Sequence, residues 1–339
     1  MIGVAILGGG FMGQTHAGAW AAQSDRAQVV SVASRTLAKA QVVADSCGAR
    51  AITDLTAAIT DPAVQIVDIC LPTPLHREYA EQAFAAGKDV LLEKPIALTV
   101  EDAEAIIAAA ERSGRMLLVG LVLRFWPEYV ALHEAVEAGE IGQPRHASAL
   151  RLSPPAGWND WMIDPDQSGG VAVDLMVHDF DQLNALLGTP LTVHARAVRE
   201  GPHGAPQHVV AVTQHGHGIG IAEGGLMQPS SYPFTSNLRV TGPDGVLEYP
   251  FVAGPADGGG NIGGVDQDAN RLRLHLATGE AYLVEVESAD PWHCQAAYLL
   301  DCVEANTAPT QGTGEEALLA LRVALAANRS LESGNVETV

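Results

Sequence analysis

The stretch VAILGGGFMGQTHAGAW, residues 4–20, joins an apolar strand to a helix through a glycine-rich turn. Three of its glycines stand in the register G-x-G-x-x-G. In this context the first glycine permits a tight turn, the second lets a pyrophosphate approach the backbone at the helix N-terminus, and the third lets the helix pack closely on the strand. We therefore predict a dinucleotide-binding turn. Its expected cofactor contacts are Gly8, Gly10, Phe11, Met12 and Gly13.

Apolar runs and helical stretches alternate through the first 120 residues. QVVSVAS, QIVDICL, DVLLE and MLLVGL are candidate strands. Between them, TLAKAQVVADSCG, HREYAEQAFAAG and TVEDAEAIIAAAERSG have helical periodicity, and Thr99 is a predicted N-cap. Strands that alternate with helices form a parallel sheet with helices on both faces. We therefore predict an α/β fold that begins with a Rossmann NAD(P)-binding domain over residues 1–120.

The pattern changes after residue 120. One helical stretch, WPEYVALHEAVEAGEIG, precedes a series of alternating strands with few helices between them, which indicates a mostly antiparallel sheet. We predict a second α/β domain over residues 121–339, with a large open sheet that binds substrate and pairs with another copy in a homodimer or homotetramer. The glycine-rich segment 254–268 suggests a solvated loop rather than a calcium site, because it lacks the EF-hand spacing.

Composition excludes several classes of partner. A formal net charge of −21 without a cluster of Lys and Arg argues against binding to nucleic acid or to a membrane surface. No apolar run is long enough to span a bilayer. The four cysteines lack C-x-x-C spacing, which favours reduced thiols in a cytoplasmic protein and gives no metal site. His215 and His217 alone are too few to bind a metal.

The end of the second strand reads VASRT, where an NAD-selective site would normally carry an acidic residue. Ser34 and Arg35 instead offer a hydroxyl and a guanidinium, and Lys39 follows one helical turn later. These groups suit a 2′-phosphate, so we predict NADP, with NAD still possible. The alternative is that Arg35 stacks over the adenine, which both cofactors would tolerate.

The segment GGVAVDLMVHDFDQL, residues 169–183, combines an apolar face with Asp174 and His178. A spacing of four residues places two side chains on the same side of a helix, so the carboxylate could orient the imidazole for acid/base chemistry. The alternative is a hydrogen-bonded histidine in the core. Asp179 and Asp181 form either a solvated face or a supporting contact.

The segment DVLLEKPIALT places Glu93, Lys94 and Pro95 at the end of the candidate strand DVLLE, where ligands bind in open α/β sheets. Together, GGGFMG, EKP and the later GG-x-x-x-D-x-x-x-H-D resemble, in matching order, the glucose-fructose oxidoreductase, inositol dehydrogenase and MocA family. The resemblance covers essentially the whole chain. It implies oxidation or reduction of a sugar or cyclitol, an active site lined by Lys94, Asp174 and His178, and often a cis bond before Pro95.

Further contacts are expected around these motifs. In LVLRFWPEY, Arg124 resembles a family position that contacts substrate, although a structural ion pair between the domains is an equal alternative. The aromatic and amide side chains of AGWNDWMIDP suit a polyol, but they could also pack a domain interface. The predicted substrate contacts there are Trp158, Asn159 and Trp161. The predicted cofactor contacts beyond the glycine turn are Ser34, Arg35, Lys39, Pro72, Thr73, His76, Glu93 and Lys94.

These residues permit an alcohol oxidation. His178 would accept the hydroxyl proton, Lys94 would stabilise the developing alkoxide, and Asp174 would bind or orient, although a relay shared by Lys94 and His178 is also open. The first hypothesis is therefore an NADP-dependent sugar or cyclitol dehydrogenase. A second is a glycoside hydrolase that retains its nicotinamide and uses transient oxidation. A third is a ligand-binding regulator that kept the fold but lost the chemistry.

Overall fold

The computed structural model describes residues 1–155, 164–200, 204–254 and 270–339. Its contacts divide the chain into two compact units. Unit 1 comprises Met1–Trp126 and Ala289–Leu318, and unit 2 comprises Pro127–Ser288 and Leu319–Val339. The chain first passes from unit 1 to unit 2 after Trp126, near the predicted boundary at residue 120. The segment Ala289–Leu318 returns to unit 1, which differs from the prediction that all of residues 121–339 form the second domain.

Unit 1 is built mainly from the first 126 residues. Its elements there are β1 (Ile2–Leu7), α1 (Phe11–Ala21), β2 (Ala27–Ala33), α2 (Leu37–Cys47), β3 (Arg50–Ile52), α3 (Leu55–Thr60), β4 (Ile66–Ile69), α4 (His76–Ala85), β5 (Asp89–Leu92), α5 (Val100–Ser113) and β6 (Leu117–Val119). The predicted N-cap of α5 is confirmed, because the Thr99 side chain accepts a hydrogen bond from the Asp102 amide. Gly114 ends the same helix in the left-handed conformation.

Among the described residues, the strands of unit 1 form one parallel sheet in the order β3-β2-β1-β4-β5-β6, so the predicted Rossmann fold is confirmed. The last residues of its central strands are in register. Leu7 pairs with Ala33 and Ile69, and Leu92 pairs with Ile69 and Val119. The loops that follow these strands therefore leave the sheet at one edge.

The middle of the chain belongs to unit 2. Its elements are α6 (Pro127–Glu137), β7 (His146–Leu152), α7 (Pro165–Ser168), α8 (Gly170–Asp174), α9 (Val177–Leu187), β8 (Pro190–Val198), β9 (His208–His215), β10 (Ile219–Gly225), β11 (Thr235–Thr241), β12 (Gly245–Val252), β13 (Arg273–Leu276) and β14 (Ala281–Leu283). The remaining elements of the chain are α10 (Pro291–Ala305), α11 (Gly314–Ser333) and β15 (Glu337–Thr338).

The sheet of unit 2 runs β14-β13-β12-β11-β7-β10-β9-β8-β15 across the described strands. Its pairs are antiparallel except for β7 and β10, which agrees with the predicted mostly antiparallel sheet. The inward face is lined by small residues where α9 packs, since a Cβ added at Gly220 would lie 3.1 Å from Leu183 Cδ1. The opposite face carries exposed apolar side chains such as Val210 and Val212.

The helix α10 explains why Ala289–Leu318 packs with unit 1. Its buried Ala296, Leu299 and Leu300 belong to the same apolar cluster as Trp20 of α1. A prediction of domain boundaries from local pattern misses such a contact, because the two partners are far apart in sequence. Among the residues that the structure describes, no helix combines the length and apolar character that a membrane span requires.

Candidate functional site

The glycine turn between β1 and α1 is formed by close backbone contacts. A Cβ at Gly8 would lie 2.3 Å from the Cys70 carbonyl oxygen, and a Cβ at Gly13 would lie 2.1 Å from the Gly8 carbonyl oxygen. Gly10 differs, since a Cβ there would meet nothing within 4 Å and the residue is exposed. The protein itself does not need glycine at position 10. The open space before α1 is therefore consistent with a pyrophosphate that approaches the backbone.

The loop after β2 carries the residues predicted to select the cofactor. Ser34 is half-buried, whereas Arg35 and Lys39 are exposed. The start of α2 packs against the glycine turn, since a Cβ at Gly9 would lie 2.9 Å from the Lys39 carbonyl carbon. The structure thus brings Lys39 next to the turn that would hold the phosphates.

The loops after β4 and β5 are joined by His76. Its Nε2 lies 2.9 Å from the Leu71 carbonyl oxygen, and its Nδ1 lies 3.0 Å from the Pro95 carbonyl oxygen. The Lys94–Pro95 peptide bond is cis, as the family resemblance implies. Lys94 is half-buried, whereas His76 and Thr73 are buried. The predicted contacts Pro72, Thr73, His76 and Lys94 therefore lie on two connected loops at one edge of the sheet.

Glu93 has buried partners that the sequence did not reveal. Its carboxylate is turned towards His16 of α1, whose Nε2 lies 3.0 Å from Glu93 Oε1, and Glu93 is only 6 % exposed. The other ring nitrogen of His16 lies 2.9 Å from both oxygens of Asp68 in β4. Trp20 Nε1 donates a further hydrogen bond to Asp68 at 2.7 Å. These residues form the His16 cluster, defined as His16, Trp20, Asp68, Cys70 and Glu93.

The charges of the His16 cluster follow from its contacts. Burial alone disfavours the charged imidazole, but Asp68 and its hydrogen bonds raise the pKa of His16 well above its ordinary value. Burial, reinforced by the Asp68 carboxylate, raises the pKa of the Cys70 thiol, so the thiol stays protonated. Its Sγ lies 3.4 Å from Asp68 Oδ1. No local sequence pattern predicts this network, since Glu93 follows His16 by 77 residues.

Arg124, a predicted substrate contact, forms an ion pair within unit 1. Its guanidinium donates to Glu316 Oε1 at 2.7 Å. Glu316 also accepts a hydrogen bond from the Thr313 amide, while Thr313 Oγ1 accepts one from the Glu316 amide. This reciprocal capping box at the start of α11 fixes the carboxylate beside Arg124. Arg124 therefore has a structural ion pair, although this pair lies within unit 1 and not between two domains. Its contact with substrate stays a prediction.

The predicted single helix that carries Asp174 and His178 is wrong. Asp174 ends α8, and His178 lies in the first turn of α9. Between them the amides of Leu175 and Met176 both donate to the Val171 carbonyl oxygen, which inserts an extra residue into the turn. Asp174 is buried and His178 is half-buried. The four-residue spacing therefore does not by itself place the two side chains on one helix face.

The neighbouring acidic residues are not a solvated face. Asp179 and Asp181 are 2 % and 1 % exposed. Arg151 of β7 donates two hydrogen bonds to Asp179, from Nε to Oδ2 at 3.0 Å and from Nη2 to Oδ1 at 2.9 Å. The Arg151 guanidinium also lies 5.7 Å from the centre of the Phe234 ring. The residue next to His178 is thus anchored to the sheet by a buried, bidentate ion pair.

Other predicted residues have different placements. Trp158, Asn159 and Trp161 lie outside the described residues, as does most of the segment 254–268. His215 is buried, with Nδ1 2.7 Å from the Gly188 carbonyl oxygen, whereas His217 follows the end of β9.

Comparison with known proteins agrees with this architecture. Residues 2–121 match the family model described as "Oxidoreductase family, NAD-binding Rossmann fold", and residues 129–248 match the "GFO/IDH/MocA C-terminal domain". The chain belongs to the glucose-fructose oxidoreductase, inositol dehydrogenase and MocA family. The two matches together cover most of the chain, so the predicted resemblance is confirmed.

Individual members of the family are moderately similar to this chain. Inositol 2-dehydrogenase of Rhizobium meliloti is 34% identical over 194 residues, which span 57% of each chain. The 1,5-anhydro-D-fructose reductase of Ensifer adhaerens is 28% identical over 320 residues, or 92% of this chain and 91% of that protein. An oxidoreductase domain protein from Kribbella flavida has the same fold, with a TM-score of 0.87, 23% identity and coverage of 100% and 99% of the two chains.

The buried Arg151–Asp179 ion pair leads to a prediction about the stability of unit 2. Asp179→Asn leaves a buried guanidinium without its counter-charge, so we expect the free energy of unfolding of unit 2 to fall by about 3–5 kcal/mol. The double variant Arg151→Met/Asp179→Leu removes both charges and is expected to lose less. Urea denaturation measures both. Glu332→Gln, which removes one partner of the exposed Arg199–Glu332 ion pair, is the control. It should leave the urea midpoint nearly unchanged. A double variant less stable than Asp179→Asn would contradict the argument.

Proposed function

We propose that this chain is an NAD(P)-dependent oxidoreductase that transfers a hydride between nicotinamide and a carbinol carbon of a sugar, a sugar derivative or a cyclitol. The observation that carries the proposal is the alignment of strand ends in unit 1. The open space at Gly10, the loop of Arg35 and the loop of Lys94 all follow strands that end in register. The names of the relatives support the substrate class, since they include a cyclitol dehydrogenase and a reductase of a sugar derivative.

The proposed roles in binding follow the geometry of unit 1. The amides at the start of α1 hold the pyrophosphate beside Gly10, and the loops of Pro72 and Thr73 contact the nicotinamide half. Arg35 and Lys39 bind a 2′-phosphate, which makes NADP the preferred cofactor. Glu93 and His76 act through the loops they hold, because their side chains are buried and hydrogen-bonded to other protein groups.

The proposed chemistry divides the reaction between cofactor and protein. When bound, the nicotinamide supplies the hydride acceptor. His178 takes the proton of the reacting hydroxyl, because imidazole titrates near neutral pH. Lys94 donates a hydrogen bond to the same oxygen and stabilises its developing negative charge. Asp174 binds a neighbouring hydroxyl. The other predicted substrate contacts are Arg124, Trp158, Asn159 and Trp161.

Turnover of cofactor tests this assignment directly. Nicotinamide absorbance is followed with NADP or NAD and a panel of aldoses, cyclitols and their ketones. We expect Lys94→Ala and His178→Ala each to lower kcat by about 10²–10⁴-fold, the usual contribution of a positioned acid or base. Lys88→Ala and His217→Ala are the controls, since Lys88 binds backbone carbonyls at the other end of β5 and His217 is exposed.

Two outcomes of that assay would redirect the proposal. Cofactor released on denaturation, with no net turnover but cleavage of glycosides, would favour the glycoside hydrolase hypothesis. Full activity in both Lys94→Ala and His178→Ala would overturn the assigned roles.

Arg35 gives a separate test of cofactor choice. Arg35→Ala removes charge-assisted hydrogen bonds to a 2′-phosphate, so we expect KM for NADP to rise about 10–100-fold while KM for NAD stays nearly unchanged. Arg50→Ala, at an exposed arginine paired with Asp61, is the matched control. Equal losses with both cofactors would instead indicate that Arg35 stacks on the adenine.

We propose that copies of the chain associate through the open face of the unit 2 sheet. Val198, Val210, Val212 and Ile219 expose 38–44 % of their surface on adjacent strands. Sedimentation should give a dimer or tetramer, and Val212→Glu should shift it towards monomer because a charge would be buried at the interface. Val42→Glu, on an exposed position of α2, should leave the mass unchanged. A wild-type monomer would overturn this proposal.

A further inference from the structure

The His16 cluster connects the helix that follows the glycine turn to the backbone of Lys94. We propose that His16 and Glu93 are positioning residues, in which the His16 imidazolium orients the Glu93 carboxylate and that carboxylate holds the Lys94 amide. The inference rests on the role proposed above for Lys94. It adds to that role a buried hydrogen-bond network that sets the position of the Lys94 backbone.

Both oxygens of Glu93 are engaged. Oε1 accepts a hydrogen bond from His16 Nε2 at 3.0 Å, and Oε2 accepts one from the Lys94 backbone amide at 3.1 Å. A Cβ at Gly120 would lie only 3.0 Å from Glu93 Oε1, so the end of β6 also confines the carboxylate. A side chain held on three sides restricts the backbone to which it is bonded, and Lys94 is the next residue.

The contacts of His16 require two ring protons. Each of its nitrogens lies 2.9–3.0 Å from a carboxylate oxygen. A neutral imidazole carries only one N–H. The lone pair of its other nitrogen would then face a carboxylate oxygen, and both atoms would be acceptors. An imidazolium between two carboxylates satisfies both contacts and leaves the cluster with one net negative charge.

Asp68, on the other side of His16 from Glu93, is also held by several hydrogen bonds. Asp68 accepts hydrogen bonds from Trp20 Nε1 at 2.7 Å and from the Cys70 thiol at 3.4 Å, in addition to His16. The ligand atoms of His16, Asp68 and Cys70 lie within 4.8 Å of one another, as in a metal site. The donors on Asp68 fit a hydrogen-bond network better, because a metal would compete with them for the same oxygens.

The proposal predicts different results from two substitutions of similar volume. In Glu93→Gln the amide oxygen can still accept from Lys94 N–H, while the NH₂ group donates to Nε2 of a neutral His16 whose Nδ1–H stays on Asp68. Every polar group is then satisfied. In Glu93→Met neither contact can form, so the Lys94 amide loses its acceptor.

Kinetics and cofactor binding measure the consequence. We expect Glu93→Met to lower kcat about 10–100-fold, the scale of a displacement near 1 Å, with the Kd of the reduced cofactor changed less than about 3-fold. Glu93→Gln should keep kcat within about 5-fold of wild type. Glu223→Met and Glu223→Gln are the matched controls, because Glu223 forms a similar contact with His208 at 2.9 Å in unit 2. Both controls should retain wild-type kcat.

A readout without turnover separates this inference from the proposed function. Hydrogen exchange at the Lys94 amide should accelerate at least about 10-fold in Glu93→Met and stay slow in Glu93→Gln. Nitrogen NMR of His16 should report two protonated ring nitrogens in wild type and one in Glu93→Gln. These results would support the positioning role of His16 and Glu93 even if no sugar were turned over. Wild-type kcat or slow Lys94 exchange in Glu93→Met, or equal losses in both variants, would overturn it.

Discussion

The close approach of backbone at Gly8 and Gly13 is the constraint on which unit 1 depends. Because neither residue has a side chain, α1 can start against β1 with the Gly8 carbonyl 2.1 Å from where a Gly13 Cβ would be. That packing sets the depth and rotation of α1, and so it carries His16 into the sheet layer beside Asp68. The same glycine turn that leaves space for a ligand at its surface thus also determines the buried network beneath it.

The two units use buried charge in the same way. In unit 1 the buried acid Glu93 immediately precedes Lys94, and in unit 2 the buried acid Asp179 immediately follows His178. Buried ion pairs contribute little net stability, because desolvation offsets most of their attraction. They do impose geometry, since each partner has few alternative places to satisfy its hydrogen bonds. In each unit the imposed geometry applies to the residue next to a proposed catalytic group.

The sequence predicted what depends on local pattern. Five of the six Rossmann strands (β1, β2, β4, β5 and β6), the Thr99 cap and the alternation in unit 2 all follow from periodicity and capping chemistry. It missed β3, because its three residues RAI form no apolar run. It also missed the packing of α10 on α1 and the partners of Glu93 and Asp179, which are long-range contacts between residues whose own segments look ordinary.

The break between α8 and α9 shows why the spacing of Asp174 and His178 did not predict the local structure that carries them. The wide turn at Leu175 and Met176 places the two residues on successive helices, so their relative position does not follow from the four-residue spacing. The turn has its own packing reason, since a Cβ at Gly224 would lie 2.3 Å from Met176 Cγ. The start of α9 therefore takes its orientation from the sheet below, through the Gly224 contact and the Arg151–Asp179 pair. The strands β7 and β10 thus set the orientation of the helix that carries His178.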